Sequence, residues 1–407
     1  MAELPGLMIE KRTQPSAHPK PISMLIVLWL VGWTLRVPIL SAPPLATRIA
    51  DTFGLGEAGV AALTMLPVIA VAFGAIPAAW IISRFGLRMA IIGGLLVMVA
   101  ASVARGQVPS AALLFMVSVL MGMGVAVFQT ALPAATRVWT PTHVALGSAV
   151  YLNGMMVGEL SGAGLTLPVV LPLASGDWQL ALILWAIPIL GIAALVALVR
   201  LPKERADCNE GVQGDLCQTS LPNWNDGRVW QYGLLLASSA VVFFVINAYV
   251  GTLLRARGET HALEWLLFAY NATPLMGSIA VLAAPRWVGL RWPIAVTAVL
   301  AMLGLLGFTL LEGWISWAAA LLAGFAATIE MILLVSLPAT IARGTAVTRL
   351  SAGMTLIGYT IAFILPLVGG WLADKTTWIE MALVPSLVFT VLALMALGRE
   401  SHYPSYK

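Results

Sequence analysis

Twelve stretches of about twenty or more predominantly apolar residues follow one another through this 407-residue chain. No other feature limits the fold so tightly. Lipid offers no partner to backbone N–H and C=O groups, so a crossing segment must satisfy its own, and a helix of about 20 residues is the unit that does so. The stretches fall at 22–48, 57–82, 87–106, 109–137, 143–172, 178–200, 229–254, 262–284, 292–311, 315–342, 348–373 and 377–398. Only 10% of the residues are charged, against roughly a quarter in a soluble domain. An all-α, multi-pass membrane protein is expected. The first run is longer than a signal peptide's core and no A-x-A pattern follows it, so it reads as a retained span.

The basic residues orient the chain. Of the 22 Lys and Arg, Arg36 lies within a span, and Arg48, Arg105, Arg255, Arg257 and Lys375 fall in loops on one side; all the others fall on the opposite side. Lys and Arg accumulate in short cytoplasmic loops, which puts both termini in the cytoplasm and the protein in a bacterial-type inner membrane. The net charge of +4 is then a matter of topology, and no nucleic-acid partner is implied.

One loop is long. Residues 201–228 are polar and turn-rich, and read as a cytoplasmic linker between two six-span bundles at 22–200 and 229–398, with tails at 1–21 and 399–407. The only cysteines, Cys208 and Cys217, sit there; two thiols at that spacing are too few for a metal site and read as reduced and unpaired. The halves also match each other. "LPAATR" (Leu132–Arg137) ends the fourth span and "LPATIAR" (Leu337–Arg343) the tenth; "RFGLR" (Arg84–Arg88) follows span two and "RWVGLR" (Arg286–Arg291) span eight; "DWQLALILWAIP" opens span six and "TWIEMALVPS" span twelve. Such internal likeness marks a duplicated carrier fold.

With these motifs the chain resembles the major facilitator superfamily. Within it, "TLRVPILSAPPLATRI" (Thr34–Ile49) is similar to the first-span signature of the cyanate and nitroimidazole transporter family (CynX/NimT type): Leu35, Arg36, Ser41, Pro44, Leu45 and Ile49 match, and Thr34 replaces an Asn. The Trp-rich sixth span (Trp178, Trp185, Pro188) and "LSAGMTLIGYTIAFILPLVGGWLAD" (Leu350–Asp374) extend the likeness. The superfamily's G-x-x-x-D-R-x-G-R-R loop motif appears as Ala79–Arg88 with Ser83 in place of its Asp, so the gate link from that carboxylate is not expected here. Arg84 and Arg88 remain as gating candidates. Span five lacks the Gly-Pro pair of drug/proton antiporters, which weighs against antibiotic efflux.

Three charges fall near the middle of a span: Arg36, Glu159 and Glu330. Each costs about 2.5–3.5 kcal/mol or more at the centre of a lone helix, so together they must find partners inside the bundle. Arginine cannot shed its proton, whereas a buried carboxylate can take one up. Arg36 is therefore a fixed fork for an anionic or electron-rich solute, or for a carboxylate when the solute is absent; Glu159 and Glu330 are candidates for proton coupling and ion pairing. The resemblance makes spans one, four, seven and ten line the central cavity, and so implies Glu330 as the better partner of Arg36.

Prolines 38, 43 and 44 remove N–H donors and open the helix around Arg36, and irregular backbone at membrane depth is tolerated where it lines a cavity. Trp29, Trp33, Arg36 and Leu40 recur at helical spacing, giving the arginine an aromatic shelf. Gly154, Gly158 and Gly162 form a stripe on which another helix can approach and slide, beside a second stripe of Tyr151, Met155 and Glu159. Other candidates for solute contact are Trp33, Gln129, Tyr151, Asn247, Tyr249, Asn271, Thr355 and Tyr359, each of which could instead be interhelical glue.

The four histidines lie in loops or at helix ends and no G-x-x-x-x-G-K-[ST] occurs, so neither cofactor, metal nor ATP-driven pumping is expected. Nothing nucleophilic surrounds the carboxylates, which argues against an enzyme. The reading is a secondary carrier for a small polar, anionic solute, working by alternating access with proton coupling, and monomeric as its superfamily usually is. Export of a neutral nitrogen heterocycle or other small toxic compound is the alternative.

Overall fold

The computed structural model describes residues 21–199, 224–341 and 345–398. The expected tails, most of the linker with Cys208 and Cys217, and Arg343 lie outside the described residues. Among the described residues the regular structure is helical throughout, with no strand.

Ten helical segments are long and apolar enough to cross a membrane. Two further segments stand where spans five and twelve are expected: a pair bent by 53°, Leu146–Gly164 and Thr166–Leu173, and the shorter apolar helix Val384–Met395. Chemistry at the ends explains several boundaries. The carboxylates of Asp177 and Asp226 accept from the N–H of Gln179 and Arg228, capping the helices that begin at Trp178 and Gly227. Gly54, at φ 66°, closes the first span in the left-handed region that glycine enters without strain. Span one is broken as its prolines require, into Pro21–Thr34, Val37–Leu40 and, after a short turn of 3-10 helix, Ala46–Phe53.

Because successive spans run in opposite directions, the molecule has a proximal face, where residue 21 enters and residue 398 leaves, and a distal face. The two faces are packed differently. Toward the distal face one apolar cluster unites both bundles, bringing Leu45 and Ile49 of span one, Leu63 of span two and Trp178 of span six together with Leu253, Leu266, Ala373 and Leu383. Toward the proximal face Leu28, Ile91 and Leu132 belong to a cluster drawn mostly from the first bundle, which takes in Ala240, Val241, Phe244 and Ala362 of the second, while Leu235, Leu333, Leu350 and Met354 belong to another whose described members come only from the second bundle.

Polar contacts reinforce the distal closure. The Asp374 carboxylate accepts from the N–H of Glu57 (2.7 Å) and Ala58 (3.2 Å), at the N-terminus of span two, where partial positive charge favours an anion. Arg255 pairs with Asp51 at 2.9 Å. The Tyr249 hydroxyl donates to the carbonyl of Pro366 (2.7 Å) and lies 3.3 Å from that of Glu57.

Candidate functional site

The break in span one sets Arg36 at the mouth of its second segment, with φ −117° and ψ −27°, between the end of one helix and the start of the next. Its side chain is buried, 8% exposed. Nε lies 3.3 Å from Oε1 of Glu159 in span five, and Nη2 donates to the hydroxyl of Tyr359 in span eleven at 3.4 Å. One guanidinium thus joins a carboxylate of its own bundle to a phenol of the other. A cation held this way has its charge matched within the first bundle and a hydrogen-bond link across the interface.

This corrects the pairing expected from the resemblance. Glu330 is not the partner of Arg36; it is buried within the second bundle and accepts from the Ser238 hydroxyl at 3.0 Å. The reason is the approach of spans one and five. A Cβ on Gly154 would run into the carbonyl of Trp29, and one on Gly158 into that of Trp33, while at Gly162 it would sit 2.7 Å from the carbonyl of Val37. Gly32 answers from the other side against the carbonyl of Tyr151. With backbones this close, residue 159 meets residue 36 before a side chain of span ten can.

Trp33 is committed beside this pair. Its indole N–H donates to Ser161 (3.1 Å) and its ring lies 6.1 Å from that of Trp185. Trp185 in turn donates to Thr166, whose hydroxyl bonds back to the carbonyl of Gly162 at the bend in span five. Trp29 donates to Asn153 at 2.9 Å.

The remaining expected residues fall into three groups. Tyr151, Thr355 and Tyr359 are half-buried, and Gln129 is exposed on span four in line with Pro133 and Arg137, a stripe that continues toward the proximal face. Polar side chains along a span belong on a wet surface rather than in lipid. Asn247 and Asn271 are buried against each other, with Asn271 Nδ2 donating to Asn247 Oδ1 at 2.9 Å. Tyr249 is fully buried in the distal closure, its hydroxyl committed to the carbonyl of Pro366, so the structure does not bring it to Arg36. Arg84 is exposed, and Arg88 donates to the carbonyls of Ala197 (2.7 Å) and Val199 (3.1 Å), tying off the end of span six within its own bundle.

One charged residue was missed by the sequence reading. Arg105, expected in a loop, is 1% exposed inside the first bundle, with Nη1 donating to the carbonyl of Pro38 at 2.8 Å and lying 3.3 Å from the sulfur of Met121. A signal exists in the pattern of span three: its buried residues run Leu87, Ala90, Ile91, Gly94, Leu95, Met98, Ala101, Ser102 and Arg105, so the helical stripe that faces the core ends on the arginine.

A protein-family model described as Major Facilitator Superfamily matches residues 24–364. The chain belongs to that superfamily, and is a multi-pass membrane transporter of its fold. Among curated proteins it is 23% identical over 397 residues to an uncharacterized transporter, YycB, of Bacillus subtilis (strain 168), covering 94% of each chain. It is 25% identical over 179 residues to the cyanate transport protein CynX of Escherichia coli (strain K12), covering 43% of this chain and 44% of that one. Among solved structures it resembles the inward open conformation of the xylose transporter XylE from E. coli, with a TM-score of 0.72, 15% identity, and coverage of 95% of this chain and 98% of that one.

Proposed function

We propose that the protein carries a small monovalent anion, cyanate or one of similar size, across the inner membrane by alternating access, with one proton moving alongside. The observation that supports this most directly is the buried contact of Arg36 with Glu159 at 3.3 Å. A buried pair of this kind is held at a desolvation cost and adds little stability of its own, which suits a cation that exchanges one anion for another. The incoming solute takes the place of Glu159 on Arg36. The displaced carboxylate, left in a dry interior without its cation, takes up a proton. Charge then balances: an anion and a proton enter together, and both leave when Glu159 returns to Arg36. Tyr359, from the other bundle, reports the occupancy of Arg36 across the interface, and Gln129 lies on the route to the opening. Glu330, held by Ser238, is a second proton site in the facing bundle.

The partial similarity to a cyanate transport protein supports the solute class, and the likeness to an inward open structure agrees with a state closed at the distal face. The distribution of Lys and Arg supports reading the proximal face as the cytoplasmic one, with both termini there.

The test is uptake of labelled cyanate into proteoliposomes holding the full-length protein, with the internal and external pH set independently. An inward proton gradient is expected to accelerate uptake, and Glu159→Gln to abolish that acceleration, with Glu330→Gln reducing it less. Transport of a nitroimidazole without transport of cyanate, nitrate or formate would instead establish the neutral-heterocycle reading.

A further inference from the structure

Four charged side chains are buried among the described residues: Arg36, Arg105, Glu159 and Glu330. Three have evident roles in the scheme above, and Arg105 has none. It makes no ion pair among the described residues, and its Nε and Nη2 atoms find no hydrogen-bond partner there. Unpaired buried donors are expensive, and a hydrophobic residue would fill the same space without that cost. What Arg105 does make is one well-formed contact, from Nη1 to the carbonyl of Pro38, two residues beyond Arg36.

That carbonyl sits where span one has least support of its own. Pro43 and Pro44 bring no N–H to the carbonyls one turn behind them, and Pro38 O is otherwise met by the hydroxyl of Ser41 at 3.2 Å. The residue that reaches it is itself anchored: next to Arg105, a Cβ on Gly106 would sit 2.5 Å from the carbonyl of Gln179 and 2.6 Å from Ile183, so the end of span three is pressed against span six. Arg105 is thus a strut from a fixed point to the proline-broken stretch of span one, which Gly162 of span five also meets at Val37 and Leu40. Its charge acts as well. With Arg36 matched by Glu159, Arg105 leaves the interior of the first bundle one positive charge in excess.

Resting on the anion-carrier reading, we infer that Arg105 is a positioning residue of the anion site: by holding the Pro38 carbonyl it fixes the backbone from which Arg36 projects, and by its uncompensated charge it favours anionic over neutral cargo. It does not touch the solute.

Two measurements on the full-length protein test this. Amide hydrogen exchange in detergent reads the strut without reference to any solute. Arg105→Met is expected to speed exchange at least tenfold over 36–42, where the Leu40 and Ser41 amides are bonded to the carbonyls of Arg36 and Val37, and to leave 229–256 of the second bundle unchanged. Arg105→Lys, which keeps the charge and a donor, retains most of the protection. In proteoliposomes, Arg105→Met is expected to raise KM for cyanate about tenfold with kcat changed less than twofold, and Arg105→Lys to restore KM to within threefold. Unchanged exchange over 36–42 overturns the inference, as does exchange that rises equally in both bundles or a fall in kcat at constant KM. Should Arg105→Met fail to fold, Arg105→Gln and Arg105→Lys are compared in its place, with the same readings required. If the wild-type protein moves no cyanate, the cargo reading fails, while the exchange comparison still decides whether Arg105 holds the segment.

Discussion

Spans one and five of the first bundle correspond by pseudo-symmetry to spans seven and eleven of the second, and both pairs meet through glycines, yet in different ways. In the first seam the glycines face carbonyl oxygens: Gly154, Gly158 and Gly162 lie on the backbone of Trp29, Trp33 and Val37. In the second, a Cβ on Gly233 would meet the side chain of Ile357 at 3.0 Å, and one on Gly358 would meet that of Leu236 at 3.2 Å. Backbone cannot move aside without breaking its helix, and neither can the Ile357 Cβ that Gly233 faces, whereas the Cγ and Cδ2 of Leu236 opposite Gly358 move with a change of rotamer. The first seam is therefore a rigid unit that carries the Arg36–Glu159 pair, and compliance lies in the second.

This contrast can be tested by substitution. Arg36→Met should have the largest effect, because it leaves Glu159 buried without its cation, a loss of about 3–5 kcal/mol when one partner of a buried pair is removed. Thermal unfolding in detergent checks this, and the double variant with Glu159→Gln should recover most of the stability and none of the transport. Gly158→Ala comes next, at about 1–3 kcal/mol for an added methyl that forces backbone apart. Recovery of folded protein at wild-type yield and unfolding temperature would show the seam to be softer than its geometry. Gly358→Ala should be close to neutral: Leu236 yields by a few tenths of an ångström, and the helix gains about 0.8–1 kcal/mol in propensity on losing a glycine. If the two glycine variants unfold at the same temperature, the difference between the seams has no energetic content.

Much of this architecture is legible in the sequence because lipid makes apolar length informative. The described parts of the twelve expected stretches are mostly helical, ten of the helices being long and apolar enough to cross a membrane, and the break in span one follows from Pro38, Pro43 and Pro44. The closeness of spans one and five is visible as a four-residue repeat of glycine. The identity of the partner of Arg36 is not, since that depends on the depth at which two helices align, and a match of charge alone leaves Glu159 and Glu330 equivalent. Arg105 was hidden for another reason. An arginine before Gly106 at the end of an apolar run looks like a helix end reaching water, and only the arc of the preceding buried residues turns it inward. Tyr249 illustrates the converse: a phenol near membrane depth suits a solute site or a closure equally well, and the distinction lies in which carbonyls stand opposite.

The grip of Asp374 on span two has an uneven vulnerability. One party is a side chain, and the other consists of peptide N–H groups that every non-proline residue possesses. Apart from proline, changing the side chains of Glu57 or Ala58 leaves those donors in place, so mutation can loosen the clasp from the aspartate or at Gly56, where an added Cβ would sit 2.7 Å from the Asp374 carboxylate. The hold between the end of span eleven and the start of span two thus rests on one carboxylate and on the bare glycine that leaves room for it.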